Sequence, residues 1–234
     1  MPPAPELPLR YATPLEWAQT VLRTPLALLN DHALLEKKAA LNALELLDRW
    51  PEPHPPQYWV ERMTAIAREE IDHLALVTRL IARRGGRYGK QHRNPYAQAL
   101  RALVRVGRGK LETMDRLMVS ALIEARSCER FELLARCSED AELARLYREL
   151  WASEKGHYLT FIDLARQMLA DDGALDRRWN ELLAAEAGII AAQPPGPRIH
   201  SGLCGIGLRL VPATAPPPTG APPAAPNPLS APFS

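Results

Sequence analysis

Ala67-Arg68-Glu69-Glu70-Ile71-Asp72-His73 and Ser153-Glu154-Lys155-Gly156-His157-Tyr158 decide the fold, because each sets a carboxylate and an imidazole one helical turn apart. Each Glu-x-x-His word lies in a long segment of helical periodicity. Each such segment follows another with a lone Glu in its apolar stripe, Glu36 before the first pair and Glu124 before the second. Glu, then Glu-x-x-His, written twice, is the ligand set of a carboxylate-bridged two-metal site in the core of a four-helix bundle. A metalloprotein that uses oxygen is the expectation.

Helical faces separate ligands from surface charges. Glu70 and His73 share a face with Met63, Ile66, Ala67, Leu74, Val77 and Ile81. Glu154 and His157 share one with Tyr147, Leu150, Trp151, Tyr158 and Phe161. Glu36 sits among Ala33, Ala39, Ala40, Ala43 and Leu47, and Glu124 among Leu117, Ala121, Cys128 and Phe131. An ionised carboxylate in a core is costly, and a buried one takes up a proton instead. Divalent metal removes the conflict. Four oxygen ligands with two imidazoles suit iron or manganese better than structural zinc, and iron is the choice here. One Glu-x-x-His match arises easily by chance; two, each on an apolar face and each preceded by a core-facing Glu, do not. Glu69 and Glu129 fail the same test and read as solvated or as outer partners of the ligands. Asp72 reads either as such a partner or as a surface charge. His32 reads as core or outer partner, not ligand, and His54 and His92 as exposed loop residues.

The rest of the chain frames these words. Thr13-Pro14-Leu15-Glu16 is a capping box that opens a short helix, which Pro25 interrupts. The next helix is predicted from about Asp31 to Arg49, on Leu34, Leu35, Leu41, Leu44 and Leu47. After the Pro-rich turn 51–56, a second helix runs to about Arg84 and ends at Gly85-Gly86. The periodicity lapses from Gly85 to Gly109, except for a short helix opening at Asn94-Pro95. A third long helix spans about Lys110 to Arg136. A fourth, with Ser138 as its cap, reaches about Leu169, and a further one spans Leu175 to Ala191. The predicted fold is all-α: a ferritin-like four-helix bundle with a long crossover between the second and third core helices and extra short helices. Residues 1–203 are expected to form this domain, and 204–234 a Pro/Ala-rich disordered tail.

Composition is ordinary for a globular protein, at 47% hydrophobic and 24% charged, with a net charge of +2. Cys128, Cys137 and Cys204 show no Cys-x-x-Cys spacing, and Met1-Pro2-Pro3-Ala4-Pro5-Glu6-Leu7-Pro8 lacks the marks of a signal peptide. A cytoplasmic protein with reduced thiols is expected, and no apolar run is long enough to span a membrane.

With its surroundings, the ligand set resembles the tRNA 2-methylthio-N6-isopentenyladenosine hydroxylases, the MiaE family of ferritin-like di-iron monooxygenases. The resemblance rests on Asp31 to Ala40, on Ala67 to His73, on Leu122-Ile123-Glu124-Ala125-Arg126-Ser127-Cys128-Glu129-Arg130-Phe131, on Ser153 to Tyr158, and on Arg198-Ile199-His200-Ser201-Gly202. It implies Glu36, Glu70, His73, Glu124, Glu154 and His157 as ligands of two iron ions, with O2 as co-substrate. It also implies hydroxylation of the isopentenyl side chain beside the tRNA anticodon. Electrons must come from an external donor such as a ferredoxin/reductase, since the chain carries no flavin or rubredoxin-like motif. A rubrerythrin-like iron- or peroxide-handling protein is the rival reading. The crossover supplies a basic patch for tRNA, Arg83, Arg84, Arg87, Lys90 and Arg93, with Tyr88 and Tyr96 interleaved, followed by Arg101, Arg105, Arg108 and Lys110 without one acid.

Overall fold

The computed structural model describes residues 7–168 and 172–203, and the predicted tail and Cys204 lie outside them. Among the described residues there are seven helices: α1 Leu15–Val21, α2 Pro25–Leu47, α3 Gln57–Arg83, α4 Pro95–Arg101, α5 Lys110–Cys137, α6 Ala141–Gln167 and α7 Asp172–Ala191. Short turns fold α3 back on α2 and α6 back on α5, which makes the two hairpins of the bundle. The crossover carries α4; α7 packs over α4, α5 and α6, while α1 lies on α5. Among the described residues no strand forms, and Pro195 and Gly202 meet in a single parallel bridge.

Local chemistry sets several helix ends. Gly85 adopts φ 73°, and the Gly86 amide returns 2.9 Å to the Ile81 carbonyl, closing α3 with a left-handed turn that favours glycine. The Asn94 side chain accepts from the Ala97 amide and starts α4, as its Asn-Pro word predicts.

Four expectations give way. Pro25 does not merely interrupt; it is the first residue of α2, where its missing N–H has no helical partner to lose. Ser138 does not cap α6. Asp140 does, accepting from the Glu142 and Leu143 amides, while Ser138 ends α5. Thr13 makes no cap either, because its amide and hydroxyl both bond Glu129, each at 2.6 Å. Leu41 and Leu44 face solvent, because at 3.6 residues per turn they lie about 140° and about 80° round the helix from Glu36. The buried residues of α2 include Leu28, Leu29, Leu34 and Leu46, and those around the cluster are small or polar: His32, Ala33, Glu36, Ala40 and Ala43.

Residues 122–131 and 198–202, two of the segments that carry the resemblance, meet in space. Arg130 of α5 donates to the Ser201 carbonyl at 3.0 Å, and the Trp17 indole N–H donates to the Ser201 hydroxyl at 3.0 Å. The Ile199 amide is held 2.8 Å from Asp31 of α2. A Cβ on Gly202 would collide with the Gln193 carbonyl, so this close return of the chain requires glycine.

Candidate metal centre

Glu36 of α2, Glu70 and His73 of α3, Glu124 of α5, and Glu154 and His157 of α6 converge between the two hairpins. They form two overlapping groups whose potential ligand atoms lie within 4.8 Å of one another: Glu36, Glu70, His73 and Glu154, and Glu70, Glu124, Glu154 and His157. Glu70 and Glu154 belong to both, the position a bridging carboxylate takes. All but His73 are buried.

Protein atoms leave this cluster unsatisfied. Both Glu70 carboxylate oxygens, the His73 Nδ1 and the His157 Nδ1 are buried without a hydrogen bond. The His73 Nδ1 stands 3.7 Å from Glu36, 3.8 Å from Glu70 and 3.6 Å from Glu154, too far for hydrogen bonding and suited to a cation between them. The His157 Nδ1 approaches Glu70 Oε1 to 2.8 Å without hydrogen-bond alignment. Unpaired buried polar atoms are costly, and a divalent ion placed among them turns each into a ligand. The donor set therefore fits two hard or borderline cations.

Electrostatics reflect the crowding. Burial and neighbouring carboxylates push Glu70 and Glu154 above the usual range, and Glu124 well above it. Burial also opposes ionisation of Glu36, but His32 and His73 outweigh it and hold Glu36 at about 2. Burial likewise disfavours charged imidazoles, yet the facing Glu36 and Glu70 push His73 up to about 11, and Glu70 with Glu154 push His157 up to about 9.

The ligand candidates have fixed outer partners. His32 Nε2 lies 2.5 Å from Glu36 Oε1, and its ring packs between Phe131 and Tyr147. His32 is thus an outer partner, as the sequence allows. Glu69 accepts from His157 Nε2 at 3.0 Å and from the Ser153 hydroxyl, which leaves the His157 Nδ1 facing the cluster. Asp72 is exposed. Glu129 is taken by Thr13 and Arg126. Replacing Glu69 with Ala is expected to weaken metal binding about 10- to 100-fold without unfolding the chain, as titration of the metal-free protein would measure.

A cavity of about 680 Å³ opens beside the cluster, with Glu36, Glu70, Glu124 and Glu154 at its buried end. Its wall includes Asn42, Ser120, Gln98 and His200. His200 is buried, stacked on Tyr96, and held well below the usual imidazole range by burial and by Arg130 and Arg126. His92 is not an exposed loop residue: its side chain is 7% exposed and bonds Asp31 at 2.8 Å. Asp31 thereby ties the crossover and the returning segment to α2, a pairing across more than a hundred residues that carries no local sequence signal.

The basic patch divides. Arg84 forms a two-pronged ion pair with Asp140 and also reaches Glu142, which Arg83 shares, so both cations fasten α3 to the start of α6. Tyr96 is fully buried, donating to Glu186 at 2.9 Å, and offers no surface to a base. Arg87, Lys90 and Arg93 are exposed, and Arg93 also lines the cavity. Two further cations line the cavity: Arg101, which the sequence placed in the basic stretch after the patch, and Lys38, which it did not single out; their proximity depends on how α4 packs.

Among the described residues no helix is long and apolar enough to cross a membrane. The sequence model of the family described as tRNA-(MS[2]IO[6]A)-hydroxylase (MiaE) matches residues 4–201. A tRNA 2-(methylsulfanyl)-N(6)-isopentenyladenosine(37) hydroxylase of Pseudomonas putida is 37% identical over 191 residues, covering 82% of this chain and 90% of the relative. A protein of the same description from Salmonella typhimurium is 33% identical over 178 residues, covering 76% of this chain and 63% of the relative. A solved structure described as Protein 43 with aldehyde deformylating oxygenase activity, from Synechococcus, superposes with a TM-score of 0.77 at 32% identity, covering 86% of this chain and 98% of that one. The fold is ferritin-like, and by the family match and the identity to both relatives the chain belongs to the MiaE family of tRNA hydroxylases.

Proposed function

We propose that this protein is a cytoplasmic di-iron monooxygenase that hydroxylates the isopentenyl side chain of 2-methylthio-N6-isopentenyladenosine beside the tRNA anticodon. Residues 1–203 form the hydroxylase domain in this reading. The observation that carries it is the six-residue Glu/His cluster at the buried end of an open cavity large enough for a nucleoside. Glu36 and His73 would hold one iron and Glu124 and His157 the other, with Glu70 and Glu154, which belong to both groups, available to each. Bound iron supplies the oxidising power, drawn from O2, that an unactivated C–H bond demands. Electrons come from an external carrier of the ferredoxin/reductase kind.

The chain's own residues do the positioning. His32 and Glu69 fix the orientation of Glu36 and His157 before metal arrives. Phe131 lines the cavity against the His32 ring, and Asn42, Gln98 and Ser120 offer hydrogen bonds along the wall to a purine. Arg87, Lys90 and Arg93 of the crossover remain candidates for tRNA contact, while Arg83 and Arg84 are committed elsewhere.

Metal loading releases protons at neutral pH. In the metal-free site His73, at about 11, and His157, at about 9, each hold a proton at pH 7 that a ligand must lose. Their raised values mean the protons stay on below those pH values, so metal affinity falls as pH drops. Titration calorimetry in buffers of different ionisation enthalpy is expected to show release of more than about one proton per chain at pH 7; no buffer dependence would contradict the assignment. The function itself is tested by nucleoside analysis of tRNA from cells with and without this protein, where loss of the hydroxylated nucleoside alone, with its prenylated precursor retained, is the expected result.

A further inference from the structure

The cavity is graded in charge. Its buried end holds Glu36, Glu70, Glu124 and Glu154, while its exposed edge carries Lys38 from α2, Arg93 ahead of α4, and Arg101 from the last turn of α4. No carboxylate at that edge lines the cavity. Among the described residues Lys38, Arg93 and Arg101 enter no ion pair, in contrast to Arg83, Arg84, Arg105, Arg116, Arg126 and Arg178. Partial burial, and after it repulsion from the nearby Arg101, hold the Lys38 ammonium below its usual range against the weaker pull of Asp31. Asp31 and Glu45 lie near enough to act on Lys38 and Arg101 without pairing with them, so three cations at one cavity mouth keep their donors open to a polyanion.

We propose that Lys38, Arg93 and Arg101 form a phosphate clamp that seats an RNA strand across the cavity mouth with a base inserted. The clamp rests on the tRNA hydroxylase reading and adds to it which end of the substrate meets which end of the cavity. The cations lie at the rim and none lines the buried end, so phosphate is held at the mouth and a base with its apolar side chain reaches inward toward the cluster. The clamp draws on α2 and on both ends of α4, so it exists only once α4 is docked on the bundle.

The test is a titration of metal-loaded protein with prenylated tRNA over a salt series. It compares the intact chain with a Lys38→Ala/Arg93→Ala/Arg101→Ala variant. A control variant, Arg79→Ala/Arg145→Ala/Arg148→Ala, removes equal charge from exposed positions of α3 and α6 that do not line the cavity. The clamp predicts that only the first variant loses affinity, by about tenfold or more, with a log–log salt slope shallower by about 2, roughly 0.7 for each lost single-strand phosphate contact. Equal affinity and slope in the first variant and the intact chain would overturn the clamp, as would equal losses in both variants. Metal content and melting temperature check that each variant is folded. Product formation by the intact chain is scored separately: tight, clamp-dependent binding without hydroxylation would support the clamp and sink the hydroxylase reading.

Discussion

Glu70→Ala and Glu154→Ala each retain less than about one metal per chain, against about two in the intact protein, and form no detectable product. The expectation follows from shared membership: both acids stand in both ligand groups, so removing either strips an oxygen ligand from each metal. Glu36→Ala and Glu124→Ala touch one group apiece and are expected to retain about one metal. The loss is one of ligation rather than folding. Buried, mutually repelling acids destabilise the metal-free chain, so deleting Glu124, whose carboxyl is raised well above its usual range, leaves the metal-free melting temperature unchanged or higher. Metal analysis beside thermal melts of the metal-free variants checks both halves. Full occupancy in Glu70→Ala would contradict the bridging assignment.

Glu186→Ala costs about 3–5 kcal/mol of stability, the largest structural effect expected outside the cluster. Arg126 is 0% exposed, and its guanidinium forks onto Glu186 at 2.8 and 2.9 Å while reaching the Tyr11 carbonyl at 3.0 Å and Glu129 at 2.5 Å. Removing Glu186 strands that buried cation and the Tyr96 hydroxyl together. For a chain of this size the melting temperature should fall by about 10 °C. Glu186→Gln, which keeps an acceptor for Tyr96, should lose less. Denaturant unfolding of metal-free protein measures it; a change under about 1 kcal/mol would show that Glu129 alone compensates Arg126.

Much of the site was legible because its chemistry conflicts with its pattern. Acids on apolar faces at helical spacing have few explanations, and Glu36, Glu70, His73, Glu124, Glu154 and His157 converge as that conflict implies. Helix ends set by local chemistry, at Gly85, Asn94 and Pro95, were legible for the same reason: their partners lie within a few residues. What escaped depends on distant partners. Thr13 reads as a cap until Glu129 takes its hydroxyl, and Arg84 reads as a free cation until Asp140 takes its guanidinium. His92 reads as loop until Asp31 buries it, and the Leu41–Leu44 spacing is helical but out of phase with Glu36. No local pattern marks Lys38 and Arg101 as neighbours, because only tertiary packing brings α2 and α4 to one cavity.

Oxygen transfer is the central claim, and isotope-labelled O2 tests it most directly. Iron-loaded protein, a reductant and prenylated tRNA should yield hydroxylated nucleoside whose new oxygen carries the label, with no product from metal-free protein. Label entering from water instead, or equal product without metal, would contradict the account.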